Sequence, residues 1–152
     1  MVPEVARMLR QLRWPGVDAV TYGDGRMTLL EVEFYAGERP VFPLADTTLE
    51  SYLGYHDEDD LSAYDIAATV EHGDHVIAVG DGSGEGNGVV VVTDKATGTL
   101  AWFAFYVASD PFVSVTATDG VLDAVTAEGV HWHIRVDDPL DVRVVRPPRL
   151  TA

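Results

Sequence analysis

Hydrophobic and polar residues alternate along most of this chain, and the places where alternation fails mark its organisation. Four valines, Val89 to Val92, run without a polar break. A β-branched run of this kind predicts a strand covered on both faces, at the centre of a sheet. The pattern predicts flanking strands over residues 76–79 and 99–107, with a glycine loop at 80–88 and a turn at 94–98 between them. Further strands are predicted over 17–22, 26–35, 41–44, 112–117, 130–136 and 142–145. In 26–35, Leu30, Val32 and Phe34 share one face, opposite Leu29, Glu31 and Glu33. Pro43 marks 41–44 as an edge strand.

Helical spacing appears in three places. Residues 3–13 open on Pro3 and present Val5, Leu9 and Leu12 at intervals of four and three. Residues 47–50, Thr-Thr-Leu-Glu, have the spacing of a capping box and predict a short helix to Leu53. Ala63, Ile66, Ala67 and Val70 predict a helix over 61–71 with Asp60 as its cap. Residues 119–127 fit two readings, a helix capped by Asp119 or a strand between turns at Asp119-Gly120 and Glu128-Gly129. Together these predict an α+β domain at residues 1–146, with a mixed or mainly antiparallel sheet flanked by helices, and a C-terminal tail at 147–152.

Composition adds limits. A chain of 152 residues suits one domain, by a prior of ~150 residues each. There are no cysteines, which excludes disulfides and thiolate metal sites. The longest apolar run, residues 101–108, is too short to span a membrane. No apolar leader follows the N-terminal arginines, so a cytoplasmic location is expected.

Charge changes the picture more. The formal net charge is −15, and residues 40–130 carry 16 acids against the single base Lys95. Direct binding to nucleic acid is disfavoured, because phosphates require a basic surface. A basic protein partner is the electrostatic match, and simple solubility is the bland alternative.

Several clusters carry candidate chemistry. His56-Asp57-Glu58-Asp59-Asp60 is the sharpest acidic run, but consecutive acids lack the alternate spacing and glycine bend of a calcium loop. Glu31 with Glu33, or Asp81 with Glu85, would supply carboxylate chemistry for a hydrolase; a solvated strand stripe is the simpler reading of the first pair. His72 and His75 lack a marked third metal ligand. His131 and His133 share one strand face with Arg135, opposite Trp132 and Ile134, about 7 Å apart by the strand rise. They can chelate or titrate, or form the polar face of an amphipathic strand.

The glycine loop, residues 80–88, has glycine at every second position. A phosphate cradle would need a following helix and a lysine, and here valines follow. A nucleophile elbow at Ser83 would also need a helix next. A connection between neighbouring strands is the structural reading.

The run Val76-Ile77-Ala78-Val79-Gly80-Asp81-Gly82-Ser83-Gly84-Glu85-Gly86-Asn87, then a valine strand closed by Asp94, resembles the core of the SUKH superfamily. Trp102-Phe103 matches the aromatic of the family's next strand, and Phe112 to Val125 matches loosely the segment leading to its C-terminal helix. The likeness covers roughly residues 76–126. It departs in residues 1–60, which are strand-rich, and in the extra strands past 130. It implies an α+β domain with no enzymatic activity and no cofactor. It also implies an immunity protein that neutralises a cognate toxin, often a nuclease. On that reading Asp57, Glu58, Asp59, Asp60, Asp81 and Glu85 form an acidic face that occludes the partner, with Tyr52 and Tyr55 as anchors. The alternatives are a small-ligand or metal-binding module built on the glycine loop and a carboxylate-dependent hydrolase.

Overall fold

Two antiparallel sheets stack face to face, and side-chain alternation sorts their apolar residues into two cores. The structure is a computed structural model that describes residues 1–34, 37–56 and 60–148. Its elements are α1 (Pro3–Gln11), β1 (Arg13–Pro15), β2 (Ala19–Tyr22), β3 (Arg26–Val32), β4 (Val41–Thr48), α2 (Leu49–Tyr55), β5 (Leu61–His72), β6 (His75–Gly82), β7 (Gly88–Asp94) and β8 (Leu100–Tyr106). They are followed by β9 (Phe112–Thr118), β10 (Val121–Thr126), β11 (His131–Arg135) and β12 (Asp138–Val145). The large sheet runs β1-β5-β6-β7-β8-β2-β3-β4 and the small one β12-β11-β10-β9. The small sheet lies across the large one, with β9 over β5 and β6, and β12 against β4.

The valine run is the hinge of this arrangement. Val90 and Val92 point into the core between the sheets, with Trp102, Ala104 and Tyr106 of β8 and Trp132 and Ile134 of β11. Val89 and Val91 point the other way, into a second core with Phe103, Phe105 and the inner faces of α1 and α2. All four valines are buried, as a strand covered on both faces requires. Trp14 stacks on Phe103 at 3.9 Å between ring centroids, and Tyr64 meets the same ring edge-on at 5.0 Å. This aromatic group seats β1 and β5 on the second core.

The α+β expectation is overturned. Of the described residues 57% are strand and 12% helix, which makes this a mainly-β domain. The predicted helix over 61–71 is the long strand β5. A bulge between Ile66 and Ala68 breaks its pairing with β6. Of the four residues at helical spacing, Ala63, Ile66 and Ala67 are exposed and Val70 is half-buried, so their spacing marks no buried helical face. Residues 119–127 take the strand reading: Asp119 and Gly120 have φ of 52° and 79°, a tight hairpin, and β10 follows. The segment matched to a family C-terminal helix is therefore the β9–β10 hairpin.

Other expectations hold with shifted ends. Helix α1 begins at Pro3 as predicted, but it buries Val5 and Met8; Leu9 is half-buried, and Leu12, left-handed at the C-terminus, is exposed. Helix α2 forms but not with the predicted capping box: its cap is Thr48, whose hydroxyl accepts from Ser51 N–H at 3.1 Å, so Glu50 is not at the box position, and the helix runs on to Tyr55. β4 is an edge strand, as Pro43 predicts, and it carries a bulge opposite Leu29 and Leu30. Among the described residues no helix is long and apolar enough to cross a membrane.

Candidate functional site

The glycine-rich segment joins neighbouring antiparallel strands, which is the structural reading of its sequence. Its boundaries differ from the pattern: β6 continues through Gly82, and β7 begins at Gly88. Close approach explains two of the glycines. A Cβ at Gly80 would overlap the carbonyl oxygen of Asp65 at the β5 bulge, and one at Gly88 would overlap the Ser109 hydroxyl. The loop is fastened at both ends. Ser83 N–H donates to the Ala63 carbonyl at 2.8 Å, and the Ser62 and Ser83 hydroxyls are 2.9 Å apart. The buried Asn87 donates from Nδ2 to the Val107 carbonyl at 2.8 Å, while Asp110 N–H donates to Gly86. Ser83 precedes a strand, so it has no elbow geometry.

The acidic candidates divide into groups. Asp57, Glu58 and Asp59 lie outside the described residues. Asp60 does not cap a helix, since β5 follows it; its carboxylate is 3.9 Å from His56 Nδ1. Tyr52 stacks on His56 at 4.1 Å, and burial, with a smaller push from Asp60, raises its phenol above the usual range. Tyr52, His56 and Asp60 therefore form one cluster at the end of α2. Tyr55 is 88% exposed and packs into no core, whereas Tyr52 is half-buried against the helix-side core. Asp81 is half-buried and stands opposite Asp65 on the β5–β6 ladder. Glu85 is exposed in the following hairpin.

Charge is distributed unevenly over the two sheets. On the β5–β6 flank Asp65, Glu71, Asp74 and Glu85 are exposed. Lys95, the single base of residues 40–130, is held by Glu71 at 3.0 Å. The arginines of the opposite flank have carboxylate partners: Arg39 meets Asp141 at 2.7 Å, Arg143 meets Glu38 at 3.6 Å, and Arg135 meets Asp137 at 3.3 Å. The β5–β6 flank thus exposes four carboxylates beside a single lysine. Glu31 on β3 and Glu33 just past its end are both exposed, and Glu33 raises the Glu31 carboxyl by hydrogen bonding and repulsion. They form a solvated stripe.

Besides His56, the histidines fall into two pairs along the chain, His72 with His75 and His131 with His133. His72 Nε2 accepts from Gly120 N–H at 3.0 Å, a bond that ties the β5–β6 hairpin to the β9–β10 turn. His131 and His133 face outward from β11, as the alternation requires, with Trp132 and Ile134 buried behind them. Sequence reasoning missed Asp123, which β10 places beside both imidazoles.

A cavity of about 490 Å³ opens between the sheets, lined by Phe34, Ser109, Asp110, Val130, Trp132 and Arg146. The Arg146 guanidinium lies 5.6 Å from the Phe34 ring centroid. Burial raises the carboxyl of a different aspartate, Asp18, against the lowering effect of a 2.7 Å bond from Val107 N–H, which fixes Asp18 as a structural acceptor. No family model matches the chain, and no curated protein matches it.

Proposed function

We propose that this chain is a non-enzymatic protein-binding module whose acidic flank engages a basic partner protein. The observation that carries the reading is the excess negative charge on the β5–β6 side, where the one nearby lysine is already held by Glu71. Exposed charges of one sign steer a complementary partner and accelerate encounter. Asp60, Asp65, Asp81 and Glu85 supply the charge, and Tyr55, exposed at the end of α2, supplies an aromatic anchor.

The finer reading is a cytoplasmic immunity protein that occludes the basic groove of a cognate toxin. The resemblance of residues 76–126 to the SUKH core supports it. The mainly-β architecture departs from what that resemblance implies, so the charge distribution carries the proposal.

The test compares capture of partners from the native host by the wild type and by an Asp65→Asn, Asp81→Asn, Glu85→Gln triple variant. The wild type is expected to retain a basic protein at low salt and release it as salt rises. The triple variant is expected to lose about tenfold or more in affinity. Equal capture by both proteins, or salt-independent binding, defeats the acidic-flank reading.

A further inference from the structure

The outer face of the small sheet gathers three metal-ligating side chains from two strands. Asp123 of β10 stands directly across the ladder from His133 of β11, and His131 lies two residues along on the same face. One potential ligand atom from each falls within 4.8 Å of the others. His131 Nδ1 lies 2.9 and 3.0 Å from the two Asp123 oxygens, and the two imidazoles are nearly parallel with centroids 6.0 Å apart. All three side chains are half-buried, so an ion reaching them sheds part of its water without entering the core.

We propose that Asp123, His131 and His133 form a binding site for one divalent transition-metal ion of the zinc class. Two ligands on a tetrahedral zinc at ~2.0–2.1 Å stand about 3.3 Å from each other. The Asp123–His131 pair needs to open by only a few tenths of an ångström (about 0.3–0.4) to reach that spacing. His133 completes the set by a side-chain rotation that its place on the outer face of the sheet permits. Two imidazoles and one carboxylate suit borderline ions such as zinc, cobalt and nickel, and suit poorly both hard calcium and soft monovalent copper.

Three protein ligands leave a fourth position for water or an exchangeable anion. His133 also lines a hollow of about 260 Å³ with Arg39, Arg135, Asp141 and Arg143, which gives that fourth ligand room. Arg143, opposite His133 on β12, is drawn toward Glu38 at 3.6 Å, and Arg39 is held by Asp141. Their charge is thereby partly neutralised beside the site. A surface ion pair alone accounts for Asp123 and His131 but leaves His133 unexplained. The backbone positions of all three are fixed by continuous antiparallel pairing of β10 with β11, so the site is preorganised at its Cα atoms.

Zinc titration of metal-free protein by calorimetry, with imidazole resonances followed by NMR, tests this. One equivalent is expected to bind, shifting the His131 and His133 resonances and leaving those of His72 and His75 in place. Asp123→Asn, His131→Gln and His133→Gln are each expected to weaken binding by at least about tenfold, and His75→Gln to leave it unchanged. Cobalt in place of zinc should give the absorption of a four-coordinate ion. Absence of saturable one-equivalent binding, or binding unaltered by His133→Gln, overturns the proposal. Should a variant fail to fold, the wild-type resonances decide: shifts at other histidines, or none, overturn it equally. The acidic flank lies on other strands, so the triple variant of that flank is expected to bind zinc as the wild type does.

Discussion

The indole N–H of Trp102 donates a hydrogen bond to the carbonyl oxygen of Val136 at 2.8 Å, and both residues are buried. Trp102 belongs to β8 in the middle of the large sheet, while Val136 follows β11 in the small one. Val136 in turn donates its N–H to the Gly120 carbonyl at 2.9 Å in the turn between β9 and β10. A directed bond therefore joins the two layers inside their shared apolar core, as the Gly120–His72 bond does nearer the surface.

Trp102→Phe removes the donor, leaves a buried carbonyl without its partner and creates a small void. The expected loss of stability is about 2–4 kcal/mol. Urea unfolding checks it, as a lower midpoint with an unchanged slope. An unchanged midpoint would mean that the bond does not hold the sheets together.

Two glycines should respond oppositely to the same substitution. Gly80→Ala drives a methyl group into the Asp65 carbonyl at the β5 bulge, so the ladder must shift, and a loss of several kcal/mol (~2–5) is expected. Gly54 lies inside α2 with open space around its Cβ position. Gly54→Ala should therefore raise stability by about 0.5–1 kcal/mol through helix propensity. Thermal melts of the pair check both signs, and a stable Gly80→Ala protein would contradict the close approach.

The strands legible in the sequence were those whose environment is uniform along their length. β7 is apolar on both faces and reads as a central strand; β11 alternates cleanly and fixes which way His131 and His133 face. β5 reads as a helix because Ala63, Ile66, Ala67 and Val70 fall at helical spacing, yet the first three are exposed on a strand whose pairing shifts between Ile66 and Ala68, which no local pattern records. The glycine loop was recognised as a connection, but its ends depend on Asp65 and Ser109, residues far from it in sequence. Asp123 escaped for the same reason. Its proximity to the histidines is a matter of β10–β11 register, and its own segment fitted helix and strand equally. Three of the acidic candidates, Asp57, Glu58 and Asp59, lie outside the described residues, so the structure speaks to the acidic flank through Asp60, Asp65, Asp81 and Glu85.

A net charge of −15 on 152 residues should make stability depend on salt. Like charges on the β5–β6 flank repel, and moderate salt screens that repulsion while leaving the apolar cores intact. Raising sodium chloride from about 0.02 to about 0.2 M shortens the screening length several-fold and should raise the melting temperature by about 2–5 °C. A melting temperature that falls over this range would show that favourable ion pairs such as Arg39–Asp141 outweigh the repulsion.

Burial pushes the Tyr64 phenol up to about 12, and Tyr106 is raised further by burial with a smaller contribution from Asp18. A tyrosine in the unfolded chain titrates near ~10. Between these values the unfolded state releases a proton that the folded state keeps, so rising pH favours unfolding. The contribution is fully present below about pH 10 and is lost as pH climbs through about 12. Tyr64→Phe should therefore blunt the alkaline loss by about 2–3 kcal/mol, seen as a flatter dependence of the urea midpoint on pH. Tyr106 tests the same physics from another side. Its hydroxyl is buried and makes no hydrogen bond within the described structure, so Tyr106→Phe removes a desolvated polar group. Stability at neutral pH should stay level or rise by up to about 1 kcal/mol, and the alkaline slope should fall further. A marked loss at neutral pH would mean that the hydroxyl has a partner holding it in place.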